Sequence, residues 1–550
     1  MSPRLKPPPF LSSMSGPISE AKATANPLHP RTARSNTITI SPMVFKRFTC
    51  TVLLPLSLSA LGSSALLAQR GGQPPQASPA TGTPAKPAEI KLEPLSPDKS
   101  VAQTISVHGK TLHYTATVGT IKLTAPDGHP TGEVVFTSYI LDGDHTNRPV
   151  LFAFNGGPGA ASGYLNFGAV GPKHVIFGNA GNSPSDPPTL TDNPGTWLDF
   201  TDEVFLDPIG TGYSRSLVDE AESRKLFYGP TQDVEYLSTV IYKWLTKNER
   251  MPSKKYLLGE SYGGYRGPRI THYLQADLGV GVNGLFLVSP YLNPSFGDGN
   301  LSPVPWMITL PAITAAHLEN EGKLTPEAMK DVIAYDEGEY ASTLIKGPSD
   351  PAATNAMIQH VTEMTGLDPE FVKHSGGRLE TRAFLREIHR ENGTIGSVYD
   401  SNVTDPDPFP YSSFQQSGDP ILESGKATIT EAMVNFVTVT VGWKSEARYD
   451  LLSSEVGNLW DRQNRETERG SVPDLREAIA ADPKLHVVVF HGWNDLSCPF
   501  MGSILTQNEL PPTLAKQVSI HEFPGGHMFY TRPTNSDELH HLAEQTVASH

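Results

Sequence analysis

A serine set between glycines, Gly259-Glu260-Ser261-Tyr262-Gly263, follows directly on the apolar run 256–258. A serine hydroxyl is a poor nucleophile until a base takes its proton, and that base needs an acid to fix its tautomer. Glycines flank such a serine where a strand turns into a helix so tightly that side chains would clash, which leaves the hydroxyl exposed. The pattern alone is weak, because ordinary turns use the same residues. Its weight depends on a base and an acid in other loops.

Two loops qualify. The run 485–490 leads into His491-Gly492-Trp493-Asn494-Asp495, and the β-prone run 518–523 ends in Pro524-Gly525-Gly526-His527-Met528. Both loops follow strands, at the ends where active-site loops gather. Of the 18 histidines, His527 is singled out because two glycines free its loop to present it. His491, His521, His540 and His541 read as packing or surface residues, and Asp482 and Asp199 follow no strand. The order Ser261, Asp495, His527 is that of α/β-hydrolases.

The elements that must position these residues read accordingly. Short β-prone runs between 106 and 140, separated by Asp127-Gly128 and Pro130, predict an antiparallel meander. Solid apolar runs at 150–154, 203–206, 256–258, 285–288 and 485–490 predict strands covered on both faces, and 234–245 has helical spacing. The alternation predicts an α/β fold with a mainly parallel central sheet and antiparallel N-terminal strands. From 296 to 435 the rhythm changes: Thr325-Pro326, Asp350-Pro351 and Asp368-Pro369 each pair an N-cap with proline at the first helical position. We expect a mostly helical lid insertion there, and a catalytic domain from 101–295 and 436–550.

The 550 residues carry a net charge of −15, which argues against nucleic acid as a partner. No Walker loop, zinc-finger spacing or His-Glu-x-x-His run occurs, so neither cofactor nor metal is expected. Residues 1–42 read as a disordered leader or a mis-called start. Residues 43–68 have signal-peptide anatomy: Lys46 and Arg47, an apolar stretch at 52–61, then small residues to Ala65 and Ala68. That stretch is shorter than the about 20 residues a membrane span needs, so the expectation is a secreted or periplasmic protein with no stable membrane insertion. A buried N-terminal helix is the alternative. Residues 69–100 read as a Pro-rich linker. Only Cys50 and Cys498 occur, and loss of Cys50 with the signal would leave no intramolecular disulfide.

Asn155-Gly156-Gly157-Pro158-Gly159, Gly259 to Tyr265 and Gly525-Gly526-His527-Met528 together resemble the serine carboxypeptidase family, over about 150–530. The segment from Leu206 to Ser214 also resembles a family motif and reads as a Pro/Gly-shaped structural turn. Low cysteine usage suggests a bacterial-type member. The resemblance implies Ser261, Asp495 and His527 as catalytic triad, the N–H groups of Gly157 and Tyr262 as oxyanion hole, and Asn155, Gly156 and Glu260 as the site for a substrate's terminal carboxylate. Peptides with a free C-terminus would be the substrates. Glu260 can hydrogen-bond a carboxylate only if one of the two is protonated, so it should need a raised pKa. Where the family carries a second glutamate, this chain has Ala169. An esterase or acyltransferase on the same scaffold, or a catalytically silent binding protein, remains open, and nothing in the sequence sets an oligomeric state.

Overall fold

Alternation and solid burial divide the strands into two kinds, and the division tells where each strand lies. The structure, a computed structural model, describes residues 92–177, 183–297, 302–412, 418–461 and 469–549; the expected leader, signal peptide, Cys50 and residues 69–91 lie outside these. β1 (Lys99–Val107) and β2 (Lys110–Thr124) alternate in burial, so one face meets the core. β3 (Pro130–Leu141), β4 (Val150–Phe154), β5 (Asp202–Leu206), β6 (Lys255–Glu260) and β7 (Gly284–Val288) are buried along nearly their whole length. Both of their faces are covered.

With β8 (His486–Gly492) and β9 (Val518–Phe523) these strands form one sheet in the order β1-β2-β3-β5-β4-β6-β7-β8-β9, and a two-residue strand at Arg215–Ser216 pairs with β3. The pairs among β1, β2, β3 and β5 at one side are antiparallel, and β5-β4-β6-β7-β8-β9 is parallel throughout. This is the expected α/β-hydrolase arrangement. Leu151 and Ala153 of β4 face one core with Leu539 and Ala543, whereas Val150, Phe152 and Phe154 face the other with Leu237, Trp244 and Ile270. A period of two thus serves two hydrophobic layers.

Strand limits exceed the apolar runs because polar residues keep the pairing. β8 continues through His491 and Gly492, which pair with Glu522 and Phe523, and β6 takes in Gly259 and Glu260. The linker also ends earlier than expected: Leu95 packs on the core, Ser96 Oγ donates to the Lys444 carbonyl at 2.6 Å, and Trp443 Nε1 donates to the Ser96 carbonyl at 3.1 Å.

Between β7 and β8 the chain is mainly helical. All three Pro-led helices start as their caps foretell: the side chains of Thr325, Asp350 and Asp368 accept from the N–H groups of Ala328, Ala353 and Phe371. Met307, Ile313, Met329, Val361 and Phe384 form a third core, which also takes in Trp493 and Phe500 from the segment after β8. Two features differ from the expectation for 296–435. Thr394–Gly396 and Thr404–Pro406 pair as short antiparallel strands, and the helix Pro420–Asn435 buries Ile421, Ile429 and Met433 in the core of the sheet.

Behind the serine, α1 (Pro230–Lys247) and α2 (Tyr262–Ala276) are joined by a buried ion pair: Arg266 Nε donates to Asp233 Oδ2 at 2.6 Å, with both side chains 1% exposed. Arg266 Nη1 also donates to the Asn155 carbonyl at 2.7 Å, which ties the loop after β4 to α2. Arg266→Met strands the Asp233 charge and should lower stability by about 3–5 kcal/mol in chemical denaturation. A loss below about 1 kcal/mol would show that water reaches the pair.

Candidate active site

Ser261 is the first residue after β6 and stands before α2 with φ 61° and ψ −121°. A positive φ is uncommon for a residue with a side chain and is held only where surroundings demand it. Here the Ser261 N–H donates to the Val288 carbonyl at 3.0 Å, while its own carbonyl accepts from Gly264 at 2.8 Å and Tyr291 at 3.0 Å. The neighbouring glycines are required by approach: a Cβ on Gly259 would lie 2.1 Å from the Gly263 carbonyl oxygen, and one on Gly263 2.5 Å from that of Phe154.

Asp495, fully buried, follows β8, and His527 follows β9. His527 Nδ1 lies 2.7 Å from Asp495 Oδ2, so Nδ1 carries the proton and Nε2 is left to act as base. The other carboxylate oxygen accepts from the N–H groups of Ser497 at 2.8 Å and Cys498 at 2.9 Å. Burial opposes a charge on the imidazole, but the Asp495 carboxylate, reinforced by Glu260, outweighs it and raises the His527 pKa. Ser289 Oγ donates to the His527 carbonyl at 2.9 Å, and Tyr399 packs edge-on at 5.1 Å between ring centres. Among the described residues no hydrogen bond joins Ser261 to His527; the Ser261 hydroxyl instead offsets part of the burial of the adjoining Cys498 thiol. Such bonds are commonly long in the absence of substrate.

The loop after β4 approaches the same point. A Cβ on Gly156 would lie 2.5 Å from the Tyr262 nitrogen and 2.9 Å from Ser261 Cβ, and Gly157 has φ 103°. Tyr262 opens α2, so its N–H has no partner within the helix. The backbone at Gly156 thus passes close to the Tyr262 nitrogen and to Ser261.

Glu260, 2% exposed, points toward Asn155: Asn155 Nδ2 donates to Oε2 at 2.5 Å, and Asn155 Oδ1 is engaged by the Leu165 N–H at 3.0 Å. Tyr530, to which sequence reasoning gave no role, donates its hydroxyl to Glu260 Oε1 at 2.9 Å. Burial is the main cause that lifts the Glu260 pKa to about 7; the His527 charge and the Tyr530 and Asn155 hydrogen bonds oppose it, and Asp495 adds to it. Tyr530 also packs at the helical turn that contains Ala169, since a Cβ on Gly168 would lie 3.4 Å from the tyrosine ring. An aromatic hydroxyl after a histidine loop has no motif of its own, which is why spacing could not reveal it.

Three of the rival residues, His491, His540 and Asp199, have partners elsewhere. His491 is buried, with Nε2 2.8 Å from Ser503 Oγ, and burial lowers its pKa to about 4. His540 pairs with Asp199 at 3.0 Å. Asp207 accepts from the Ser162 N–H at 2.8 Å, a structural duty that suits the turn read from 206–214.

A model described as serine carboxypeptidase matches residues 135–294. The chain is 29% identical over 222 residues to serine carboxypeptidase-like 36 of Arabidopsis thaliana, covering 38% of this chain and 41% of that protein. It is 31% identical over 198 residues to a pheromone-processing carboxypeptidase of Yarrowia lipolytica, covering 35% and 30%. The matched part is thus less than half the length of either relative. Both are eukaryotic, so they lend no support to a bacterial-type member. Among solved structures, a prohormone-processing carboxypeptidase from Saccharomyces cerevisiae superposes with a TM-score of 0.51 at 15% identity, over 79% of this chain and 92% of that one; the likeness is one of fold. The matched stretch 135–294, which carries Asn155 to Gly157 and Ser261, is where the chain is similar to the serine carboxypeptidase family.

Proposed function

We propose that the protein is a serine-type carboxypeptidase that removes C-terminal residues from peptides through an acyl-enzyme on Ser261. The observation that carries the reading is a buried carboxyl held near neutrality, Glu260, fixed by Asn155 and adjacent in sequence to the nucleophile. A protonated Glu260 donates to the terminal carboxylate of a peptide, with the Asn155 to Gly156 segment beside it. His527 Nε2 takes the Ser261 proton as the hydroxyl attacks the last peptide carbonyl. The N–H groups of Gly157 and Tyr262 receive the oxyanion, and the proton passes from His527 to the leaving amine. Water then attacks the acyl-enzyme with His527 again as base.

A cavity of about 350 Å³ adjoins this point through Tyr291 and Cys498 and is lined by Phe296, Trp306, Ile308 and Leu496. It offers room for a large apolar side chain next to the cleaved bond. Export to a secreted or periplasmic space is part of the proposal, carried by residues 43–68; among the described residues no helix is long and apolar enough to cross a membrane.

The decisive comparison is an N-blocked dipeptide with a free C-terminus against its C-terminal amide. Below pH 7 the free acid should be preferred by about 10- to 100-fold, the worth of one hydrogen bond to a charged group; equal rates would reject exopeptidase action. Ser261→Ala should lower kcat by on the order of 10⁶ and abolish labelling by a fluorophosphonate, which would also argue against a silent binding protein. A kcat unchanged in this variant would remove Ser261 as nucleophile.

The pH dependence has a definite sign. Glu260 is protonated below about pH 7 and ionises above it, so kcat/KM on the free acid should fall as pH rises through that value. The amide, with no charge to repel, should lack this fall. Tyr530→Phe removes a donor that favours the ionised carboxyl, so the alkaline limb for the acid substrate should move to higher pH. A limb that stays put would mean that Tyr530 does not tune Glu260.

A further inference from the structure

We propose that His108, Asp199 and His540 form a binding site for a divalent cation of the zinc class, at the edge of the sheet remote from Ser261. The three come from separate elements. His108 lies in the two-residue turn between β1 and β2, Asp199 precedes β5, and His540 belongs to the C-terminal helix Pro533–Ala548. Ser261, Asp495 and His527 follow the C-terminal ends of parallel strands, whereas Asp199 stands before the N-terminal end of one.

One nitrogen from each imidazole and one carboxylate oxygen all lie within 4.8 Å of one another. His540 Nε2 is 3.0 and 3.1 Å from the two Asp199 oxygens, and the His108 and His540 ring centres are 5.3 Å apart. A tetrahedral zinc with ligands at about 2.0–2.2 Å sets its donors roughly 3.3 Å apart, a spacing that rotation of the exposed His108 ring can reach. Two imidazoles with one carboxylate suit zinc rather than magnesium or calcium, which prefer all-oxygen shells.

The surroundings favour a cation. The cluster borders a cavity of about 430 Å³ that Asp537, His541 and Glu544 also line, with Lys110 as the basic residue among the lining groups. Glu544 lies four residues after His540, on the same helix face, and adds negative charge to the cavity. Among the described residues no lysine or arginine forms an ion pair with Asp199. The other cluster of similar composition, His272, Asp474 and Glu477, differs here, because Arg269 stands 3.5 Å and Arg469 3.9 Å from Asp474. Cations of the protein already occupy that carboxylate.

His108 has φ 48° and Gly109 φ 76°, a turn in which asparagine and glycine are the usual residues. Histidine there adds a donor without gain to the turn. A bound ion would tie the first hairpin, the segment before β5 and the last helix together in a chain whose one described cysteine, Cys498, is unpaired.

The test is isothermal titration of the purified chain, stripped with EDTA, with zinc chloride, together with thermal denaturation with and without zinc. We expect one tight site per chain and a higher Tm with zinc. His108→Asn, which suits the turn, and His540→Gln should each weaken binding by at least about tenfold, since even residues behind metal ligands are worth that much. His272→Gln should leave it unchanged. Absence of saturable zinc binding, wild-type affinity in His108→Asn, or loss in His272→Gln instead would overturn the assignment; should His540→Gln fail to fold, His108→Asn decides.

Discussion

Backbone crosses backbone around Ser261 at distances that no Cβ could occupy, and the geometry of the site depends on that approach. A methyl group on Gly492 would lie 1.9 Å from the Gly526 carbonyl oxygen, and one on Gly526 1.8 Å from that of Tyr399. Together with Gly156, Gly259 and Gly263, these contacts lock the loops after β4, β6, β8 and β9 against one another. Parallel strands deliver their C-terminal ends to one side of the sheet, but a sheet alone leaves loops free to diverge. The glycines convert convergence into contact, and the strain at Ser261 persists because its neighbours cannot move apart.

Electrostatics inside this packed cluster follow from the same closeness. Glu260, Asp495 and His527 are all buried and sense one another's charge. Asp495 satisfies its carboxylate with His527 and two backbone N–H groups. Glu260 has two neutral donors, Asn155 and Tyr530, which are insufficient against full burial. Glu260 is thereby poised near neutrality beside an Asp495 whose oxygens are fully hydrogen-bonded, a difference between like groups that burial and hydrogen bonding set.

The parts of this arrangement that were legible in the sequence are those governed by local rules. Apolar runs marked the buried strands, Pro-led caps marked the helices beginning at 326, 351 and 369, and glycine spacing marked the loops around Ser261 and His527. Contacts set by tertiary packing were not legible. Tyr530 reaches Glu260 across 270 positions of sequence, and His108, Asp199 and His540 span more than 400. The strand extension to Gly492 was hidden because His491 and Gly492 look like loop residues until their partners on β9 are known. The packing of Leu95 was masked by surrounding prolines, since composition reports the average character of a segment and not the one side chain that finds the core.

The helical segment between β7 and β8 is held to the histidine loop by charge rather than by apolar contact alone. Glu319, near the end of the helix Val304–Asn320, accepts from Arg532 and from Asn494, and Arg532 also donates to Asp400 at 2.9 Å. Arg532 lies five residues after His527 and Asn494 immediately before Asp495, so one carboxylate touches both loops that carry the imidazole and its acid. Arg532 and Glu319 are about one-fifth exposed, which keeps the desolvation cost of that pair below that of a fully buried one. A movement of this helix would have to break the cluster first. The segment that lines the apolar cavity beside Ser261 is therefore mechanically joined to the orientation of His527.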